Sequence, residues 1–167
     1  SQSNGTIERA VQSIEGQIRV LKDALEKNYK MEIDARHPIL AWLIHHAGFL
    51  ISRFERGVDG KTAYERWKGK PFHTSLVPFG ECVHFKKHTK ADKPSKMEIR
   101  WEDGIWLGIK TVSSEIYVGT PEGVFTANSV QRKPLDQRHN TDFLKKMQGL
   151  PWKPTPDIPR ITEPMPR

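Results

Sequence analysis

The sequence predicts an α+β chain in which helices come first, short strands follow and a proline-rich tail closes. Three observations carry that order. Apolar residues recur at helical spacing between Ile7 and Phe54. From Val77 the pattern breaks into short apolar runs separated by turn residues. Six of the twelve prolines then fall between residues 151 and 167.

The first helix rests on Ile7, Val11, Ile14, Ile18, Leu21 and Leu25, whose steps of 4, 3, 4, 3 and 4 trace one stripe. Asn4 and Gly5 supply its N-cap region and Asn28 its stop. Its length is roughly 30 Å at about 1.5 Å per residue. Pro38 opens a second helix that runs to Phe54, with a wide apolar face from Ile39, Leu40, Leu43, Ile44, Ala47, Leu50, Ile51 and Phe54 and with Trp42 beside it. Such a face demands burial, and the helices have no partner of their own, so it points to a sheet in sequence upstream. The chain also opens at Ser1 without an initiator methionine and reads as a downstream piece of a longer protein. A short third helix spans Thr62–Trp67, capped by Thr62 with Glu65 completing a capping box, and ended by Gly69 and Pro71.

Strands are predicted over Cys82–Lys86, Gly104–Lys110, Glu115–Gly119 and Val124–Ala127. Four or five short strands in about 60 residues suggest a small barrel. The chain thus divides into a helical part at 1–75, a barrel at 76–135 and a linker or disordered tail at 136–167.

The formal charge is +7, which favours an acidic partner such as nucleic acid. Most of the excess lies in residues 58–135, with 13 basic against 9 acidic groups. Cys82 is the sole cysteine, which excludes an internal disulfide and a multi-cysteine zinc site and suits a reducing intracellular setting. The longest apolar stretch is broken by His45 and His46 and is too short to span a bilayer.

On a wheel of the first helix, Glu8, Gln12, Glu15, Arg19 and Lys22 cluster within about 40° of their mean direction, beside the apolar stripe. A carboxylate at that edge is placed to share a divalent cation with a phosphate. The plainer account is that an acidic first turn complements the helix dipole. A second candidate surface comes from Lys86, Lys87, Lys90, Lys93, Lys96, Arg100, Lys110, Arg132 and Lys133, which suit sequence-independent phosphate contact; a solvated charged loop explains them equally well. His45 and His46 diverge by about 100° on a helix and make a poor metal pair. Cys82, Trp42, Trp67, Trp101 and Trp106 are expected in the core, although Trp101 and Trp106 also have the chemistry to stack on bases.

The run Ser1-Gln2-Ser3-Asn4-Gly5-Thr6-Ile7-Glu8-Arg9 ahead of a long helix resembles the last catalytic segment of copia-type retroelement integrases. Further resemblances follow in the same order. They are Lys61-Thr62-Ala63-Tyr64-Glu65-Arg66-Trp67-Lys68-Gly69-Lys70-Pro71, then Leu76-Val77-Pro78-Phe79-Gly80-Glu81-Cys82, where Glu81 stands as an insertion or substitution, then Gly104-Ile105-Trp106-Leu107-Gly108. Together they cover residues 1 to about 135.

The resemblance implies the helical C-terminal portion of an RNase H-like core followed by an SH3-like barrel, within a polyprotein. It implies a site of two aspartates and one glutamate holding Mg²⁺ or Mn²⁺, used to join a DNA 3′ end to target DNA in the nucleus. Glu8 maps onto the glutamate, as catalytic residue and metal ligand, and the aspartates belong upstream. Asp23, Asp34 and Asp59 match neither. Asn4, Arg9, Gln12, Arg19 and Lys22 are then the helix's candidate DNA contacts, with Lys86, Lys87, Lys110, Arg132 and Lys133 on the barrel. Expected partners are element-end and target DNA, with possible self-association through the helical face. By itself the piece is expected to be inactive and to bind no metal stably. The rival expectation is a non-enzymatic nucleic-acid-binding or scaffold protein derived from a decayed element.

Overall fold

A computed structural model describes residues 2–86 and 101–156. Its order is α1 (Gln2–Tyr29), α2 (Pro38–Phe54), α3 (Ala63–Lys68), β1 (Cys82–Phe85), β2 (Glu102–Ile109), β3 (Ile116–Thr120), β4 (Gly123–Ala127), β5 (Val130–Arg132), a 3-10 turn at Leu135–Gln137, and α4 (Thr141–Lys146). The α+β class holds. Among the described residues no helix is long and apolar enough to cross a membrane.

Local chemistry explains the second and third helices. His37 caps α2: its Nδ1 accepts from the Ile39 amide at 3.1 Å, and Pro38 occupies the first turn, where a missing N–H costs nothing. Because Nδ1 accepts, Nε2 carries the proton and donates to the Leu144 carbonyl at 2.8 Å. Thr62 and Glu65 form the expected capping box, with Thr62 N to Glu65 Oε2 at 2.6 Å and Glu65 N to Thr62 Oγ1 at 3.0 Å. The start of α1 differs from the sequence reading. It begins at Gln2, so Asn4 and Gly5 lie inside the helix and Glu8 sits beyond the first turn.

The strands form one antiparallel sheet in the order β4-β3-β2-β1-β5. No β4–β5 pairing closes it among the described residues, so the observed form is an open sheet. Successive residues of β2 alternate between two clusters: Ile105 and Leu107 join one, Trp106 and Ile109 the other. A sheet covered on both faces explains why Gly104–Ile109 is buried without a break. Between Trp106 and Gly108 the β2–β3 register slips. Gly108 supplies φ +125° there, and a Cβ would crowd Nδ1 of His46.

The first cluster joins Leu25 and Tyr29 of α1, Ile39, Trp42 and Leu43 of α2, and Cys82, Ile105, Leu107 and Val124 of the sheet. Hence the Ile39, Leu43 and Ala47 side of α2, with Trp42, is buried within this chain, while Ile44 and Phe54 at the edges of the wide face stay 53% and 49% exposed. The inference that this face requires an upstream sheet is overturned, because a sheet face with alternating apolar residues lay downstream to meet it. The residue-136 boundary is corrected too. Leu144 and Met147 are buried in the same cluster, Trp42 Nε1 donates to the Gly149 carbonyl at 2.9 Å, and the Val124 amide donates to Pro154 O at 2.8 Å. Proline content hid a packed strap over 141–156; the rest of the proposed tail, 157–167, lies outside the described residues.

Candidate nucleic-acid interface

Glu8 stands exposed on α1 with no ion pair among the described residues. The stripe beside it changes along the helix. Ile7, Val11 and Ile14 are 62%, 48% and 39% exposed, Ile18 and Leu21 are half-buried, and Leu25 is 1% exposed. Cover begins where α2 runs alongside, with Ser13 Oγ donating to Glu55 Oε1 at 2.9 Å. The far end is anchored by Tyr29, whose hydroxyl donates to Gly80 O at 2.5 Å and lies 3.5 Å from Cys82 Sγ. Burial, reinforced by Cys82, pushes that phenol well above its usual range. Cys82 is accordingly a small core residue.

Asn4, Arg9, Gln12 and Arg19 are exposed along α1. Lys22 is half-buried and pairs with Glu26 at 3.6 Å. Helix α1 carries four basic residues (Arg9, Arg19, Lys22, Lys27) and four acidic ones (Glu8, Glu15, Asp23, Glu26), hence no net charge. Among the described residues no group of three or more His, Cys, Asp or Glu is placed to hold a metal. Glu8 by itself offers one carboxylate, fewer ligands than a two-metal site takes.

The sheet's basic residues do not form one surface. Arg132 makes a bidentate pair with Glu81, Nε to Oε2 at 2.8 Å and Nη2 to Oε1 at 2.7 Å, and Arg138 Nε lies 3.7 Å from the same carboxylate. Glu81 is buried while Arg132 is exposed, so the pair is dry at one end and wet at the other. Withdrawing Arg132 to bind phosphate would strip a buried carboxylate of its main partner. That bond also holds the guanidinium pKa above its usual value. Lys133 is half-buried and pairs with Asp103 at 2.8 Å, and Asp103 also meets His84 Nδ1 at 3.0 Å. Lys86 sits 5.0 Å over the Trp101 ring at the start of β2, whereas Lys110 follows its far end. The strand's length puts them on the order of 25–30 Å apart. Lys87, Lys90, Lys93, Lys96 and Arg100 lie outside the described residues.

The aromatic expectations divide. Trp42 and Trp106 are buried, but Trp67 is 63% and Trp101 37% exposed. His46 is buried, stacked on Phe49 and Phe79 at 5.6 and 5.3 Å and edge-on to Trp106 at 5.2 Å. Burial, then the neighbouring His45, pushes its imidazole down to about 4, and its Nδ1 has no hydrogen-bond partner.

Sequence reasoning missed two features. The Glu81–Arg132 pair spans 51 residues, and no local pattern announces it. The concentration of charge around α3 was visible: residues 53–73 hold six basic groups (Arg53, Arg56, Lys61, Arg66, Lys68, Lys70) against three acidic ones (Glu55, Asp59, Glu65). No protein family, curated protein or solved structure matches the chain.

Proposed function

We propose that the chain is the C-terminal portion of a copia-type retroelement integrase and that its own contribution is DNA binding. The bare first half of α1 carries this reading: an apolar stripe, buried at one end and open at the other, implies a further layer over Ile7, Val11 and Ile14. A strand layer placed there would be the rest of an RNase H-like core, with Glu8 at its rim. The ordered resemblances from Ser1-Gln2-Ser3-Asn4-Gly5-Thr6-Ile7-Glu8-Arg9 to Gly104-Ile105-Trp106-Leu107-Gly108 support the same family. The return of β5 to the side of β1 supports an SH3-like arrangement of the strands. Mg²⁺ or Mn²⁺ belongs to the complete site, to which Glu8 would add one ligand. Of the α1 and sheet cations named above, Arg9, Arg19, Lys86 and Lys110 have no ion pair among the described residues and are the ones proposed to meet duplex phosphate.

The test is duplex DNA binding by fluorescence anisotropy across a salt series. The reading expects affinity to fall steeply, by roughly 0.9 in log K per log salt for each phosphate neutralised. Salt-insensitive or absent binding removes it. Coding sequence upstream of Ser1 tests the parent enzyme: two in-frame aspartates in strand contexts support it, and a nearby stop or start codon replaces it with a scaffold. One observation favours that scaffold: the chain's own strands and strap already bury Ile39, Trp42 and Leu43 of α2.

A further inference from the structure

The sequence reading placed Trp67 in the core, and the structure leaves 63% of it exposed. An exposed tryptophan on a six-residue helix rich in cations calls for its own explanation. From Phe49 on α2 a chain of edge-on rings leads outward, Phe49 to Phe72 at 5.5 Å, Phe72 to Tyr64 at 5.4 Å and Tyr64 to Trp67 at 6.3 Å. The Arg53 guanidinium is packed into the base of this chain, 4.1 Å from the Phe49 centroid and 5.1 Å from that of Tyr64. Burial lowers the guanidinium pKa from its usual value, and the surrounding rings offset part of that penalty by cation–π attraction. Phe49 and Arg53 are buried, Phe72 and Tyr64 are half-buried, and Trp67 is the exposed outer end of this chain of edge-on rings.

Its surroundings are cationic. Lys68 Nζ lies 4.0 Å over the Trp67 ring, and Lys70 is exposed with no ion pair among the described residues. By contrast Arg66 is tied to Asp59 by two bonds, 3.0 and 2.6 Å, a pairing that holds the Asp59 carboxyl well below its usual range. Arg56 lies 3.6 Å from Glu65. Asp59 and Glu65 are thus engaged by those two arginines, which leaves Lys68, over the indole, and Lys70, two residues further along the chain, without an ion pair among the described residues.

We propose that Trp67, Lys68 and Lys70 form a contact for single-stranded nucleic acid, the indole stacking an unpaired base and the two lysines meeting the flanking phosphates. An aromatic face accepts any base, and adjacent cations follow the backbone, the combination that sequence-tolerant single-strand binding uses. A duplex keeps its bases stacked inside and offers Trp67 none, so the surface favours strands over duplexes. It involves neither Glu8 nor the sheet lysines and stands or falls apart from the integrase reading.

The experiment titrates the 167-residue chain into a labelled oligothymidylate and, in parallel, into a duplex of equal length. Trp67→Ala is expected to weaken single-strand binding about tenfold and to leave duplex binding within about twofold. Trp67→Phe should restore most of the single-strand affinity. Lys68→Ala with Lys70→Ala should lower the single-strand salt slope by about 1.4, at roughly 0.7 per cation. An unchanged single-strand affinity in Trp67→Ala, an equal loss on duplex, or no single-strand binding by the parent chain overturns the proposal. Trp67 is exposed, so the variants are expected to fold, and an unchanged urea midpoint with an unchanged far-UV circular dichroism spectrum verifies it. Substituting Lys86 and Lys110 instead tests the proposed DNA surface, and loss there leaves the Trp67 contact standing.

Discussion

The two halves of α1 share one sequence pattern and have opposite fates. From Ile18 to Tyr29 the stripe is progressively covered, half-buried at Ile18 and Leu21 and fully buried at Leu25 and Tyr29, while between Ile7 and Ile14 the same spacing faces solvent. Periodicity states which residues lie on one side of a helix. It does not state whether anything lies against that side, since cover comes from elements distant in sequence. A stripe continued past its own cover is a more pointed sign of a missing partner than a wide apolar face, for the centre of the α2 face is buried within this chain and only Ile44 and Phe54 at its edges stay half exposed.

The strongest challenge to this contrast is removal of the strap. A chain ended after Asn140 loses Leu144 and Met147 from the core and the carbonyl partners of His37 and Trp42. It is expected to lose cooperative unfolding in urea and to bind a hydrophobic dye; a sharp transition with an unchanged midpoint would make the strap dispensable. Next in size, Leu25→Ala should cost about 3 kcal/mol, while Val11→Ala should stay within about 0.5 kcal/mol. Urea midpoints measure both, and similar losses would mean that the bare half is covered in solution, by a second copy if sedimentation shows a dimer.

Acid gives a comparable effect from within the covered region. His46 is neutral when folded, with its pKa depressed from 6.5 to about 4. The unfolded chain therefore binds the extra proton between those values, and stability falls as pH drops from about 6.5 toward 4, by about 3 kcal/mol in all. Thermal unfolding across that window should show the slope in the parent and a flatter line in His46→Leu. A parallel slope in the variant would assign the acid sensitivity elsewhere. The smallest expectation concerns the bare half. Glu8→Gln should change stability by less than about 0.5 kcal/mol and leave duplex binding by this chain within about twofold in anisotropy titrations.

What could be read from sequence was whatever neighbours decide. Helix α2 fell on its predicted bounds because proline and a capping side chain fix its start locally, and α3 was announced by its capping box. The strands came within two residues of their observed limits, and short β5, three residues long, was not assigned. The strap was hidden because six prolines suggested an extended linker, whereas its order comes from Trp42, Val124 and His37, all far away in sequence. The candidate site was less legible still. Glu81 claims Arg132 and Asp103 claims Lys133, and no spacing rule links those partners.

The bond from Trp42 to Gly149 joins residues 107 positions apart. During synthesis the indole of Trp42 leaves the ribosome long before the carbonyl that satisfies it. At about 5–20 residues per second, the gap lasts on the order of ten seconds. For that interval the apolar side of α2 has no lid, and the nascent chain depends on whatever shields it. Slow codons or a stalled ribosome between Trp42 and Gly149 would lengthen that exposure, so translation speed bears on how much of this protein reaches its folded form.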